Sequence, residues 1–182
     1  MRAFLALNID ENIKNKYHNL LLKKIDDNIA EVKFVNKNKM HITLVFFENI
    51  KESDIEKIKS SLEKTSSVIK PFNILFEKLS YFTNKFNDIN VLFVKANCKE
   101  LDEYVKHLRD NINIKYDKKD FKSHLTLARV KKVYDNDKLK EIINNISFEK
   151  SSFLANSITL YESDFVNYRE IFTVTFWIYW NN

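Results

Sequence analysis

The 182-residue chain contains no glycine, where ordinary proteins carry about 7%. That absence excludes Gly-rich phosphate loops, Walker A motifs, the dinucleotide-binding fingerprint and the glycine-flanked nucleophile elbow. It also predicts that left-handed turns fall on Asn or Asp, in which the chain is rich. Proline occurs once, at Pro71, and cysteine once, at Cys98. A lone cysteine closes no internal disulfide. Without a CxxC partner it is expected to be structural, in a reducing cytoplasm. No apolar run approaches the roughly 18 residues that span a bilayer. The stretch Met1 to Asp10 turns acidic too soon for a signal peptide. The expectation is a soluble, cytoplasmic chain with no membrane partner.

Hydrophobic residues make up 45% of the chain, enough to argue against disorder and for a real core. Phe alone occurs 15 times, which favours sheets. The net charge of +5 and sequence pI near 9.1 suit an anionic ligand, and suit a Lys-rich solvated surface equally well.

Periodicity divides the chain as follows. Phe4 to Ile9 reads as a buried strand, and Asp10 as the cap of a helix reaching about Asp27, with Ile13, Tyr17, Leu20, Leu21 and Ile25 at helical spacing. Val32 to Val35 is extended, Asn36 to Lys39 a polar turn, and Met40 to Phe47 a strand. Glu52 to about Val68 is a second helix. Phe72 to Phe82 and Val91 to Val94 are strands joined through a turn at Asn84 to Asp88. Leu101 to about Ile112 and Asp135 to Ile146 are helices. Ser147 to Trp180 reads as two or three strands, the clearest being Ile171 to Trp180.

Two tetrapeptides stand out: His41-Ile42-Thr43-Leu44 and His124-Leu125-Thr126-Leu127. Each lies in a strand-like run. With a side-chain period of two, each motif presents an imidazole and a hydroxyl on one face and two apolar anchors on the other. A single His-x-Thr is ordinarily core decoration. These two sit in equivalent places of a repeated strand–helix–strand unit, offset by 124 − 41 = 83 residues. The repeat predicts a duplicated α/β unit sharing one fold, residues 1–182, with a cleft between the halves. His18 and His107 fall on predicted helices without partners and read as surface or packing residues.

Histidine exchanges a proton near neutrality. Two imidazoles flanking one phosphate can activate water on one side and protonate the leaving oxygen on the other. Neighbouring hydroxyls can hold the non-bridging oxygens. No metal or other cofactor is expected, because zinc-type ligand spacing is absent from the sequence.

The strings Met1-Arg2-Ala3-Phe4-Leu5-Ala6-Leu7, Met40-His41-Ile42-Thr43-Leu44-Val45-Phe46-Phe47 and Phe121-Lys122-Ser123-His124-Leu125-Thr126-Leu127-Ala128-Arg129 together resemble the two-histidine (2H) phosphoesterase superfamily. The branch they resemble is the RNA 2′,3′-cyclic phosphodiesterase, also called 2′-5′ RNA ligase. The resemblance implies an α+β, bilobal fold, with two antiparallel sheets facing across a central groove and helices outside. It implies His41 as the proton donor to the departing ribose oxygen and His124 as the base that activates water. It also implies Thr43, Thr126 and Arg129 as phosphate-holding residues, and a monomer acting on RNA or a nucleotide that ends in a 2′,3′-cyclic phosphate. Arg129 lies 129 − 124 = 5 residues past the histidine, so strict alternation would turn it away. A bulge or its long side chain has to bring it back. Glu48 stands where the family often has glycine and Ser123 where it often has proline, which bears on loop geometry. Phe46, Phe121, Tyr161 and Tyr168 are candidate base-stacking rings. Lys37 to Lys39 and Lys118-Lys119 are candidate backbone contacts.

Overall fold

The strand patterns resolve into two antiparallel sheets. The computed structural model describes residues 1–164 and 167–176. In chain order its elements are β1 (Ala3–Asn8), α1 (Glu11–His18), β2 (Ala30–Phe34), a 3-10 turn at Lys37–Lys39, β3 (His41–Phe47), α2 (Glu52–Ser66), β4 (Phe72–Thr83), β5 (Ile89–Asn97), α3 (Lys99–Asn111), β6 (His124–Val133), α4 (Asn136–Asn145), β7 (Ser151–Ala155), β8 (Ser157–Ser163) and β9 (Tyr168–Thr175). One sheet runs β3-β1-β8-β9, the other β2-β6-β5-β4-β7. This is the α+β arrangement of two antiparallel sheets expected from the resemblance.

The repeat is visible in the pairing. β1, α1 and β3 form one unit, in which β1 and β3 pair antiparallel. β5, α3 and β6 form the other, in which β5 and β6 pair antiparallel. β2 breaks the pattern: it leaves the first unit and pairs with β6 in the second sheet. β3 and β6 approach each other across the groove, which sets the two histidine strands face to face.

Burial locks this arrangement. Ile42 and Leu44 are buried behind His41, and Leu125 and Leu127 behind His124. Each fully buried aliphatic side chain contributes roughly 1.5–3 kcal/mol. A one-residue slip would send that set to the groove and the histidines to the core.

Several boundaries differ from expectation. α1 stops at His18, capped at Asn19, rather than near Asp27. The backbone then runs through turns, with Lys23 at φ 60. Leu21 stays buried from a turn rather than a helix face. Lys23 is neither Asn nor Asp, and the left-handed region costs such a residue roughly 1–2 kcal/mol. The Asn84 to Asp88 turn follows expectation: Asn87 is left-handed at φ 66, and Asn84 Oδ1 accepts from the Phe86 and Asp88 N–H groups at 2.8 and 3.0 Å. Asp10 caps α1, its carboxylate accepting from Asn12 N–H at 2.7 Å. The last strand begins at Tyr168, and Trp177 to Trp180 lie outside the described residues. No helix among the described residues is long and apolar enough to cross a membrane.

Candidate active site in the inter-sheet groove

His41 opens β3 and His124 opens β6. Both line one cavity of about 310 Å³, together with Thr43, Thr126, Arg129 and Phe46. A wider arm of about 670 Å³ continues from it, sharing Thr43, Phe46, His124, Thr126 and Arg129 and adding Phe82, Phe121 and Arg109. Residues 83 positions apart in sequence thus meet at one groove.

The two rings are oriented alike. His41 Nδ1 lies 2.7 Å from Lys39 O, and His124 Nδ1 lies 2.6 Å from Lys122 O. A carbonyl oxygen only accepts, so each Nδ1 carries the hydrogen and each neutral ring keeps its lone pair on Nε2. Thr43 Oγ1 lies 3.1 Å from His41 Nε2 and donates to it in that tautomer.

Aromatic neighbours fix the ring planes differently. His41 stacks on Phe4, centroids 4.7 Å apart at 24°, and Phe4 stacks in turn on Tyr161 at 5.4 Å. Tyr168 meets His41 edge-on at 5.5 Å. His124 meets Phe82 and Phe93 edge-on at 5.0 and 5.2 Å.

Burial disfavours the charged imidazole and pushes the His41 pKa down to about 4; His124 and Arg129 across the cavity add to this, and the Lys39 carbonyl opposes it. His124 is lowered by the same causes, burial first, then Arg129, again opposed by its carbonyl partner. Both rings are therefore neutral at pH 7.

Arg129 reaches the groove through a β-bulge. Along β6, Ala128 pairs with Leu92 and Thr126 with Phe93, leaving Leu127 as the extra residue. Leu127 and Ala128 both turn inward, and Arg129 returns to the His124 face. β3 carries the same device. Val45 pairs with Leu5 and Thr43 with Ala6, skipping Leu44, and Phe46 lines the groove. Phe46 and Arg129 occupy equivalent places, each five residues past its histidine.

The other expected site residues separate. Phe46 and Phe121 line the wider arm, and Tyr168 lines the smaller cavity with Lys39 Nζ 5.5 Å above its ring. Tyr161 instead donates to Asn8 Oδ1 at 3.1 Å and packs on Phe4, so it braces the site rather than lining it. Lys39 and Lys119 reach the groove; Lys37 instead pairs with Glu11, and Lys118 lines a separate surface pocket with Glu48. His18 lies beside Asn19, and the exposed His107 sits on α3, its carbonyl accepting from Asn111. Neither lines the groove. Arg2, Phe4, Phe82 and Arg109 line it without having been singled out. Strand alternation alone does not mark Arg2 and Phe4, because what brings Phe4 to the groove is its pairing with Phe46 across β1 and β3. Among the described residues, no three His, Cys, Asp or Glu side chains gather as a metal site would need.

The model of the 2′-5′ RNA ligase superfamily matches residues 23–166 of this sequence. The chain belongs to that superfamily. It is 33% identical over 168 residues to the RNA 2′,3′-cyclic phosphodiesterase of Methanocaldococcus jannaschii, covering 90% of this chain and 91% of that one. To the RNA 2′,3′-cyclic phosphodiesterase of Methanothermobacter thermautotrophicus it is 29% identical, covering 95% of each. Among solved structures, TT0787 of Thermus thermophilus superposes with a TM-score of 0.76 at 19% identity, over 97% of this chain and 98% of that one. E. coli LigT complexed with 3′-AMP superposes at 0.73 and 14% identity, over 96% and 97%. These structural likenesses extend the superfamily's two-sheet fold to this chain.

Proposed function

We propose that this 2′-5′ RNA ligase superfamily member hydrolyses the 2′,3′-cyclic phosphate at an RNA end, giving a 2′-phosphomonoester, with His41 and His124 as the acid–base pair and no metal. The observation that carries the reading is the shared cavity: two imidazoles, each with Nε2 freed by a carbonyl on Nδ1, line one space with two threonines and an arginine. Relatives at about 30% identity bear the name of this activity.

In the reaction His124 Nε2 takes a proton from water, whose oxygen forms a new bond to phosphorus. The P–O3′ bond breaks, and O3′ takes the proton from His41 Nε2. Thr43, Thr126 and Arg129 hold the non-bridging oxygens as charge builds. The substrate anion helps to protonate His41: a negative charge beside the ring opposes the burial that holds its pKa near 4. The cavity wall suits that anion, since Arg2, Lys39 and Arg129 line it and no Asp or Glu does among the described residues. With a 5′-hydroxyl in place of water, the same forward step joins RNA ends through a 2′-5′ linkage without ATP: the 5′ oxygen bonds to phosphorus, its proton goes to His124, P–O3′ breaks and O3′ is protonated by His41. The buried lone thiol of Cys98 fits a cytoplasmic protein, acting as a monomer.

The test is to incubate an oligonucleotide ending in a 2′,3′-cyclic phosphate with the protein and EDTA, then map the product. A 2′-phosphomonoester supports the reading. Turnover abolished by EDTA removes the metal-free step. Tight binding without turnover favours a non-catalytic RNA-binding module.

A further inference from the structure

The two bulges are held by different chemistry. In β6 the carbonyl of the extra residue, Leu127, accepts from the Val35 N–H at 2.8 Å, so chain continuing from β2 secures it. β3 is the outermost strand of its sheet among the described residues, with no strand of that sheet beyond Leu44. There the Arg109 guanidinium takes the strand's place. Its Nη2 donates to Leu44 O at 3.1 Å, and its Nη1 donates to Lys119 O at 2.9 Å. Phe46 O, two residues on, accepts from the Asp117 N–H at 2.8 Å. The guanidinium carbon sits 5.7 Å from the Tyr116 ring centroid and 5.8 Å from that of Phe121. The loop ahead of β6 is thereby laid along the free edge of β3.

This places one side chain between the two halves of the site. Leu44 is the residue whose bulge turns Phe46 into the groove. Lys119 lies three residues before Lys122, whose carbonyl orients the His124 ring. Guanidinium is planar, with donors in a fixed fork, and can satisfy two carbonyls at a set separation; an ammonium on a flexible stem cannot copy that.

We propose that Arg109 is a positioning residue that couples the His41 strand to the His124 loop, fixing the Leu44 bulge with one arm of its fork and the loop before His124 with the other. The role rests on the phosphodiesterase reading of the groove. Arg109 is not required to touch the reacting phosphate. It keeps Phe46 and His124 in register with each other.

The experiment compares wild type, Arg109→Met and Arg109→Lys, each checked for folding by circular dichroism. Two readouts are taken: kcat/KM on a 2′,3′-cyclic-phosphate oligonucleotide, and the NMR titration of His124 without substrate. A misplacement of about 1 Å costs roughly 10²-fold, so Arg109→Met is expected to lose on the order of 10² in kcat/KM, and Arg109→Lys to fall well short of wild type. His124 is expected to titrate at lower pH in both, because the Lys122 carbonyl that favours its protonated ring loosens. The other titratable and charged groups around it are unchanged in these variants: His41, Arg2, Lys39 and Arg129 in the shared cavity, and Asp117, Lys119, Asp120 and Lys122 along the wider arm. Full activity in Arg109→Lys would overturn the bridging role. So would an unchanged His124 titration accompanied only by a lower melting temperature. If wild type itself fails to turn over the oligonucleotide, the phosphodiesterase reading falls, while the substrate-free titration still decides whether Arg109 positions His124.

Discussion

His41 and His124 are held by the same bond: each ring donates its Nδ1 hydrogen to the carbonyl two residues earlier, Lys39 O at 2.7 Å and Lys122 O at 2.6 Å. The consequence is chemical symmetry at the groove, where both residues line the shared cavity and each neutral ring keeps its lone pair on Nε2. What distinguishes them is their surroundings, a stacked phenyl face for His41 and perpendicular rings for His124.

The first expectation concerns those two rings. His41→Ala and His124→Ala should each lower kcat by about 10²–10⁴, the usual worth of one acid–base group. Groups acting in one step are not additive, so the double variant should fall little further than the worse single one. Steady-state hydrolysis of a 2′,3′-cyclic-phosphate oligonucleotide measures this. Near-wild-type turnover in either single variant would remove that residue from the assigned role.

Stability should also depend on these rings. Their folded pKa values lie below the unfolded value near 6.5. The unfolded chain therefore binds more protons as pH falls, and the contribution present above pH 6.5 is lost on acidification, down to about pH 4 for His41. Urea midpoints should drop over that window for wild type, and drop less for His41→Gln. Equal pH slopes in the two proteins would contradict the buried, neutral His41.

Much of this site was legible in the sequence, for a simple reason. The period of two along Met40 to Phe47 and along His124 to Val130 is a local property, and it placed His41 with Thr43 and His124 with Thr126. The repeat in element order then placed the two strands together. What escaped was non-local. Alternation alone could not count the extra residues Leu44 and Leu127, which depend on pairing with β1 and β5. Arg109 carries no local signal, because its two acceptors lie 65 and 10 residues away. The helical spacing runs from Ile13 to Ile25, yet α1 ends at His18 with Asn19 as its cap, and Leu21 is buried by another route.

The groups proposed to hold the phosphate can be tested apart from the proposed proton carriers. Thr126→Val should cost about 10²–10³ in kcat, as for loss of one preorganised donor. Arg129→Met should weaken binding as well, raising KM, because it removes a charge from the cavity wall. An Arg129→Met enzyme with unchanged kcat and KM would make the bulge at Leu127 purely structural.

The apolar backing of the motifs should report on stability. Ile42 is fully buried behind His41, and Ile42→Ala should cost about 2–5 kcal/mol through lost burial and the cavity left behind. Urea unfolding reads this directly. A loss under about 1 kcal/mol, the scale of a surface substitution, would mean that β3 is not anchored as described.

The central claim is that one phosphoryl group sits between two imidazoles, and NMR of histidine-¹⁵N-labelled protein titrated with inorganic phosphate tests it most directly. The Nε2 resonances of His41 and His124 are expected to shift together, with one dissociation constant, and the shift is expected to include proton uptake at His41. Perturbation of only one ring, or of the two at clearly different phosphate concentrations, would show that the histidines serve separate sites and would contradict the shared phosphoryl site.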